Sequence, residues 1–138
     1  MRVLLDANIV LDLLLARLPW QAEATAILQA HRESRLTTLV TSLTIANVFY
    51  VGRRHAGLAR ARHAVRECLD VFEVVGVDRA TLLTADSLPG SDFEDNVQMA
   101  AGVQAGADAV VTRDPAGFVG GPLLAVTPQE LLVRLQAP

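Results

Sequence analysis

Lysine is absent from this sequence, and all twelve of its basic side chains are arginine. A phosphate-binding P-loop requires its lysine, and Schiff-base catalysis also requires one, so neither kind of site is expected. Cysteine is nearly absent as well. The single Cys68 excludes an internal disulfide, which favours a reducing compartment, and we expect its side chain to be a small buried hydrophobe.

Long hydrophobic runs are also missing, although 51% of the residues are hydrophobic. No apolar stretch approaches the roughly 20 residues that a membrane-spanning helix needs. The N-terminus has neither the basic start nor the hydrophobic segment of a signal peptide. We therefore expect a cytoplasmic protein without a membrane segment, whose 138 residues form one domain (1–138) with a substantial core.

Strand-like and helical patterns alternate along the chain, which predicts a parallel sheet with helices on both faces. The expected fold class is therefore α/β, with three α/β/α layers and a central parallel sheet of four to five strands. Short apolar runs predict strands at about 2–6, 39–41, 71–77, 109–112 and 123–126. Helical patterns predict helices at about 9–16, 20–34, 42–55, 58–70, 78–88, 91–106 and 128–135.

The first predicted strand runs directly into Asp6. In open α/β sheets, ligands bind at the carboxyl ends of the strands, so a carboxylate at this place is a candidate for chemistry. Asp6 or Asn8 could instead simply cap the helix that follows, as both residue types often do. Taken alone, this stretch favours the capping interpretation.

Two further groups of acids have similar positions. Asp92, Glu94 and Asp95 lie at the start of a predicted helix, where Asp92 can be the N-cap and the helix dipole favours negative charge. Glu94 is predicted to point to a different face, toward solvent, whereas Asp95 can face the strand ends. Thr112 and Asp114 follow a buried strand and can point to the same side of its tip, although an Asp-Pro turn is the ordinary explanation of Asp114.

In a parallel sheet, the carboxyl ends of all strands meet at one edge, so Asp6, Asp95 and Asp114 are expected to converge. Carboxylates held close together repel one another unless a cation neutralises them. Oxygen ligands without a cysteine or histidine cluster favour Mg²⁺ or Mn²⁺ over zinc. Such ions activate water and stabilise charge during phosphodiester hydrolysis, so the pattern indicates metal-dependent phosphodiester cleavage.

Four segments of the chain together resemble the successive motifs of the PIN domain family. They occur in the family's order and span nearly the whole chain, at residues 3–12, 41–47, 92–95 and 112–118. The resemblance implies a parallel sheet flanked by helices and an acidic Mg²⁺ or Mn²⁺ site that cuts single-stranded RNA. Small members of the family are often VapC-type toxins, which usually form homodimers and are silenced by an antitoxin.

The resemblance also implies roles for individual residues. It makes Asp6, Asp95 and Asp114 the metal-binding and catalytic acids. Asn8 and Thr112 resemble residues that support the first and the last of these acids. Asp92 is a further supporting residue for a different reason, because it is the expected N-cap of the helix that carries Asp95.

Two positions depart from the family pattern. Many members have glutamate where this chain has Asn47, although some members of one branch of small PIN domains have asparagine there. Asn47 offers an oxygen but no charge, so it can assist orientation while the site should hold metal more weakly. Gly117 stands where an acid often precedes the phenylalanine.

The charges are unevenly distributed, although the net charge is only −3. Residues 34–66 contain six arginines and no acid, whereas residues 67–138 contain eleven acids and three arginines. An acidic site beside a basic surface suits a polyanionic substrate, but a solvated helix face explains the arginines equally well. Tyr50, Arg53 and Arg54 are the candidates for contact with RNA or a protein partner. Trp20 could stack on bases, but its position at a helix start favours packing.

The sequence therefore predicts a Mg²⁺- or Mn²⁺-dependent endoribonuclease that acts on single-stranded RNA as the toxin of a toxin–antitoxin pair. The alternative is a catalytically weak or inactive PIN-fold module that binds RNA or a protein, and Asn47 and Gly117 favour it. A phosphotransfer domain is a more distant alternative, because such domains normally hold the phosphate with a lysine.

Overall fold

A parallel sheet of five strands forms the centre of the protein, as seen in a computed structural model that describes residues 1–137. The predicted domain boundary at residue 138 lies outside the described residues. The strands are β1 (Arg2–Leu5), β2 (Thr37–Thr41), β3 (Glu73–Val75), β4 (Ala109–Val111) and β5 (Leu124–Val126). Their spatial order is β3-β2-β1-β4-β5, and each neighbouring pair is parallel. β1 is therefore the central strand, between β2 and β4.

Helices connect the strands and cover the sheet. Within residues 1–137 they are α1 (Ala7–Leu14), α2 (Gln21–Arg32), α3 (Ser42–Ala56), α4 (Leu58–Val71), α5 (Arg79–Asp86), α6 (Phe93–Gln104) and α7 (Pro128–Gln136). A short 3₁₀ turn, Pro115–Phe118, lies between β4 and β5. None of the helices in this part of the chain has both the length and the apolar character to cross a bilayer.

Side chains of β1 alternate between two cores, one on each face of the sheet. Val3 and Leu5 pack into the larger core, whose fully buried members include Ile27 and Leu131 from α2 and α7. Leu4 packs into the second core, which contains Met99 of α6 and Phe118 of the 3₁₀ turn. This alternation confirms the predicted three-layer α/β/α class, because the period-2 geometry of a strand can bury both faces only between two helical layers.

Two local expectations had different outcomes. Cys68 is buried in the larger core, and burial raises the pKa of its thiol to about 11, as expected for an inert hydrophobic cysteine. The predicted strand at 71–77 is shorter, because α4 continues through Val71 and only Glu73–Val75 pairs with β2. The sheet edge at β3 is therefore narrow.

Candidate active site

Asp6, Asn8 and Thr112 form a hydrogen-bonded group at the carboxyl ends of β1 and β4. The backbone places them, because the Asp6 amide donates to the carbonyl of Val111 at 2.9 Å. The Thr112 hydroxyl then donates to Asp6 Oδ2 at 2.8 Å, and Asn8 Nδ2 donates to the same oxygen at 3.1 Å. Thr112 is fully buried. Two neutral donors therefore orient the Asp6 carboxylate at the sheet edge.

The capping interpretation of Asp6 is wrong. Asp6 occupies the N-cap position of α1, but its side chain makes no capping hydrogen bond to the helix. The carboxylate is turned toward Thr112 and Asn8 instead. The Asp6 side chain therefore makes its hydrogen bonds within the group at the strand ends and does not cap α1.

Asp114 lies on a loop that is fixed at both ends. Its backbone amide donates to the hydroxyl of Thr112 at 3.1 Å, which ties it to the tip of β4. After the 3₁₀ turn, Phe118 is buried in the second core and anchors the other end. The Asp114 residue itself is exposed, so its carboxylate reaches solvent from a well-fixed backbone.

The start of α6 carries the third acid. Asp92 is the N-cap, as predicted, and its Oδ1 accepts a hydrogen bond from the Asp95 amide at 3.2 Å. An ideal Cβ built on Gly117 would lie 2.6 Å from Asp95 Oδ2 and 3.9 Å from Asp114 Oδ2. Asp95 and Asp114 therefore border the same small space, and the absence of a side chain at position 117 leaves room for the Asp95 carboxylate.

Glu94 is part of this group of acids, and the prediction that it points away from the site is wrong. Asn47 Nδ2 of α3 donates to Glu94 Oε1 at 3.0 Å. Glu94 is exposed, as expected, but the charges of Asp6 and Asp92 act on it. A helical wheel fixes where the Cβ points, whereas a glutamate can bend its longer side chain toward a donor on a neighbouring helix. A carboxylate is therefore present next to Asn47, although the second motif itself supplies none.

The acids at this edge of the sheet lie close enough for their negative charges to repel one another. Partial burial raises the pKa of Asp95 to about 6, and the negative charges of Asp92, Asp6, Glu94 and Asp114 contribute in that order. The pKa of Glu94 is raised by the same kinds of cause, burial first and then the nearby acids. The neighbouring carboxylates therefore make the ionisation of Asp95 and Glu94 less favourable.

Asp6 has a more balanced environment. Burial raises its pKa, while the hydrogen bond from Thr112 and the positive charge of Arg113 act in the opposite direction. Arg113 is thus the cation that acts on the first acid.

Arg113 is a residue that the sequence analysis did not select. Its Nε lies 2.8 Å from Oδ2 of Asp12, a carboxylate whose side chain is only 1% exposed. Its guanidinium carbon lies 3.9 Å from the centroid of the Trp20 ring. Trp20 therefore contacts Arg113 but remains 40% exposed, so its expected packing role stays a prediction. Asp12 was the sequence feature that could have pointed to Arg113. It is a charged residue within the apolar run of α1, and such a residue needs a cationic partner when it is buried.

The three predicted contact residues on α3 do not join the acids. Tyr50 is 64% exposed, and its ring packs edge-on against Phe49. Arg53 and Arg54 are exposed in the last turn of α3, about 10 Å along the helix axis from Asn47 at 1.5 Å per residue. Their role in contacting RNA or a partner stays a prediction.

The donor atoms at the sheet edge suit a hard divalent cation. Asp6, Asp95 and Asp114 offer only oxygen, and Asn8 Oδ1 is buried without a hydrogen-bond partner in the described chain. Oxygen donors of this kind are those that Mg²⁺ and Mn²⁺ prefer. Among residues 1–137, no three acidic, histidine or cysteine side chains form a complete coordination group. The carboxylates would therefore have to draw together to share an ion.

Comparison with known proteins identifies the fold family. The family model described as PIN domain matches residues 2–116. The chain belongs to the PIN domain family. The matched segment contains Asp6, Asn47, Asp95, Thr112 and Asp114. No curated protein shows a significant match to this chain.

Solved structures of toxin–antitoxin proteins share the fold of this PIN domain. A DNA-bound VapBC from Salmonella typhimurium has a TM-score of 0.72 at 14% identity, covering 93% of this chain and 98% of that one. VapBC2 from Rickettsia felis, bound to promoter DNA, has a TM-score of 0.71 at 14% identity, covering 92% and 98%. Mycobacterium tuberculosis VapC20, a toxin that cleaves the sarcin–ricin loop, has a TM-score of 0.63 at 14% identity, covering 78% and 86%. Identities this low show a shared fold.

The raised pKa of Asp95 predicts a pH-dependent stability. The folded protein holds a proton on Asp95 up to about pH 6, whereas the unfolded chain loses it near pH 4, so stability should fall as the pH rises across this interval. Asp95→Asn removes this loss. We expect it to stabilise the ion-free protein near pH 7 by about 1 kcal/mol, a value reduced for solvent screening of a partly exposed group, and to have little effect near pH 4.

Urea unfolding at both pH values, in buffer containing a chelator, measures this effect. The control is Asp70→Asn, which removes one exposed carboxylate from α4. A gain for Asp95→Asn that is equal at the two pH values, or no larger than that of the control, would contradict the electrostatic account.

Proposed function

We propose that this PIN domain is a divalent-metal-dependent endoribonuclease that cleaves single-stranded RNA. The observation that supports the proposal is that the charges of Asp6 and Asp114, which follow two neighbouring strands, both act on Asp95 at the start of α6. VapC20, which shares the fold, is a toxin that cleaves the sarcin–ricin loop, and this supports the substrate class.

Each residue of the proposed site would have a distinct role. Asp6, oriented by Thr112 and Asn8, together with Asp95 and Asp114 would hold Mg²⁺ or Mn²⁺. The ion would neutralise the carboxylates, activate water and stabilise the charge that develops on the phosphodiester. The protein would supply the fixed backbone positions that keep the three acids at one edge.

Asn47 does not by itself favour the inactive alternative. The family position with a frequent glutamate is neutral here, but Asn47 holds the Glu94 carboxylate at 3.0 Å. We propose that Asn47 positions this carboxylate beside the site, which restores part of the negative charge. Asp92 supports the same region as the cap of α6.

We propose that the whole chain forms a single domain. The family match ends at residue 116, but β5 pairs with β4 in the same sheet. Leu131 of α7 is fully buried in the core that also contains Ile27. The last part of the chain is therefore needed to complete the core.

Loss of the first acid should abolish RNA cleavage. With a single-stranded oligoribonucleotide and Mn²⁺, we expect Asp6→Ala to lower the cleavage rate by about 100-fold or more, because the site loses a charged ligand that no other side chain replaces. The matched control is Asp86→Ala, which removes an exposed acid from α5 and should cleave like the wild type.

Calorimetric titration with Mn²⁺ separates the nuclease from an inactive module. The nuclease predicts saturable binding by the wild type that is lost in Asp6→Ala and kept in Asp86→Ala. Equal cleavage by the wild type and Asp6→Ala would remove the catalytic assignment. An absence of both cleavage and Mn²⁺ binding in the wild type would favour the inactive module.

The departure at Gly117 generates a second prediction. A methyl group at this position would press on Asp95 Oδ2, so Gly117→Ala should displace the carboxylate. We expect a loss of about tenfold or more in cleavage rate with little change in melting temperature, because a misplaced ligand affects chemistry more than stability. Gly76→Ala is the control, since an added Cβ there meets no atom within 4 Å. Equal losses in the two variants would contradict this role.

We also propose that the protein is a toxin silenced by an antitoxin protein, and that it acts in the cytoplasm as a homodimer. The structural relatives that are VapBC toxin–antitoxin complexes support an antitoxin partner. A cavity of about 620 Å³ between α1, α3 and α4 offers an apolar surface for such a partner, with Leu11, Leu14 and Val48 at its wall and Arg17 and Arg60 among its lining residues.

Co-expression with the product of a neighbouring reading frame tests this partnership. We expect a stable complex that abolishes RNA cleavage, and a mass from light scattering that corresponds to two copies of this chain. A lone chain that cleaves RNA, forms no complex with either neighbouring product and remains monomeric would contradict the toxin proposal but not the nuclease proposal.

A further inference from the structure

Arg113 is adjacent in sequence to two residues of the proposed active site. It stands between Thr112, which donates to Asp6, and Asp114, which borders the space beside Gly117. Its positive charge acts on Asp6. Neither the carboxylates nor their supporting residues provide a cation at this place.

Two contacts fix the guanidinium group. Nε lies 2.8 Å from Oδ2 of Asp12, whose side chain is 1% exposed, and Arg17 approaches the other Asp12 oxygen at only 3.9 Å. A buried carboxylate is costly without a close cation, and Arg113 supplies that charge. Within residues 1–137 the contact is an ion pair without hydrogen-bond geometry, because neither Asp12 oxygen accepts a hydrogen bond. One face of the guanidinium lies over Trp20 at 3.9 Å, in the geometry of a cation–π contact. The side chain therefore has little freedom to rotate.

The terminal nitrogens of Arg113 remain available. Within residues 1–137, no side-chain hydrogen bond involves Arg113, whose Nε is buried, and the side chain as a whole is 26% exposed. A guanidinium carries two terminal NH₂ groups in a fixed plane, which matches the two oxygens of a phosphate. Because Nε lies beside Asp12 and one face lies over Trp20, the orientation of these two terminal groups is restricted.

A polyanion needs such a cation at this place. The acids around Asp6 repel RNA as they repel one another, so the approach of a phosphate is unfavourable unless positive charge lies close by. The nearby exposed arginines of α3, Arg53 and Arg54, lie in its last turn, beyond Asn47. Arg113 is the arginine that lies between two residues of the site.

We propose that Arg113 binds a backbone phosphate of the RNA strand at the active site, with Asp12 and Trp20 holding its guanidinium in place. This inference rests on the proposed function for the identity of the polyanion as RNA. Arg113 would contact substrate directly, whereas Asp12 and Trp20 are positioning residues. The competing explanation is that Arg113 only neutralises the buried Asp12.

Binding of RNA in the absence of cleavage distinguishes these explanations. A fluorescein-labelled single-stranded oligoribonucleotide is titrated with the full chain in EDTA, by anisotropy, at several salt concentrations. The principal variant is Asp12→Asn with Arg113→Gln, because removing both charges leaves no unpaired buried acid. Arg113→Lys keeps the charge and removes the planar fork. Arg79→Gln on α5 removes one arginine near Thr81, which contacts Gln104 at the far end of α6 from Asp95.

The proposal predicts a specific pattern. The double variant should bind about tenfold more weakly at low salt, as expected for one charge-assisted contact, and its plot of log affinity against log salt should be shallower by about 0.7. Arg113→Lys should retain most of the salt dependence but lose part of the affinity. Arg79→Gln should match the wild type. Circular dichroism and melting temperature establish that each variant is folded.

Several outcomes would overturn the proposal. A folded double variant that binds RNA with wild-type affinity and salt slope would assign Arg113 to structure alone, and so would an equal loss in Arg79→Gln. No binding by the wild type at low salt would also contradict it. RNA binding that depends on Arg113 without any cleavage in Mn²⁺ would leave this proposal standing while removing the nuclease.

Discussion

Repulsion between carboxylates at one edge of the sheet is the interaction on which the pKa of Asp95, the stability near neutral pH and the proposed binding of a cation all depend. Asp6, Asp95 and Asp114 come from distant parts of the chain, yet the charges of Asp6 and Asp114 both act on Asp95 and help to raise its pKa to about 6. A protein that needed only stability would neutralise or separate such groups, because crowded like charges oppose folding near neutral pH. Their retention at a strand edge is typical of a site in which the unfavourable charge serves binding.

The fold makes this crowding possible by fixing the backbone near each acid. β1 and β4 are adjacent and parallel, so the Asp6 amide bonds to Val111 and the Thr112 hydroxyl reaches Asp6. Burial of Phe118 in the second core anchors the loop that follows Asp114. The same loop includes Gly117, which leaves space for Asp95. The site is thus assembled mainly from backbone register, with short side chains that have few rotamers.

The convergence of the acids could be predicted from the sequence because it follows from topology. Buried strands that end in Asp6 and just before Asp114 must finish at one edge if the sheet is parallel, and the alternating pattern indicated that it is. The side-chain contacts could not be predicted from the sequence in the same way. Glu94 turns to Asn47, a donor on a helix that no local pattern relates to it. The contact of Arg113 with Asp12 and Trp20 joins three elements, and no periodicity reports such a contact.

The titration of Asp95 is the most direct test of the central claim, because it reports the repulsion itself. Carbon NMR of the side-chain carboxyl group should give an apparent pKa of about 6 in chelator-treated protein. The account predicts that saturating Mg²⁺ lowers this value by more than one unit, because a shared cation converts repulsion into attraction. A pKa near the ordinary aspartate value of about 4 without the ion, or a raised value that Mg²⁺ leaves unchanged, would contradict it.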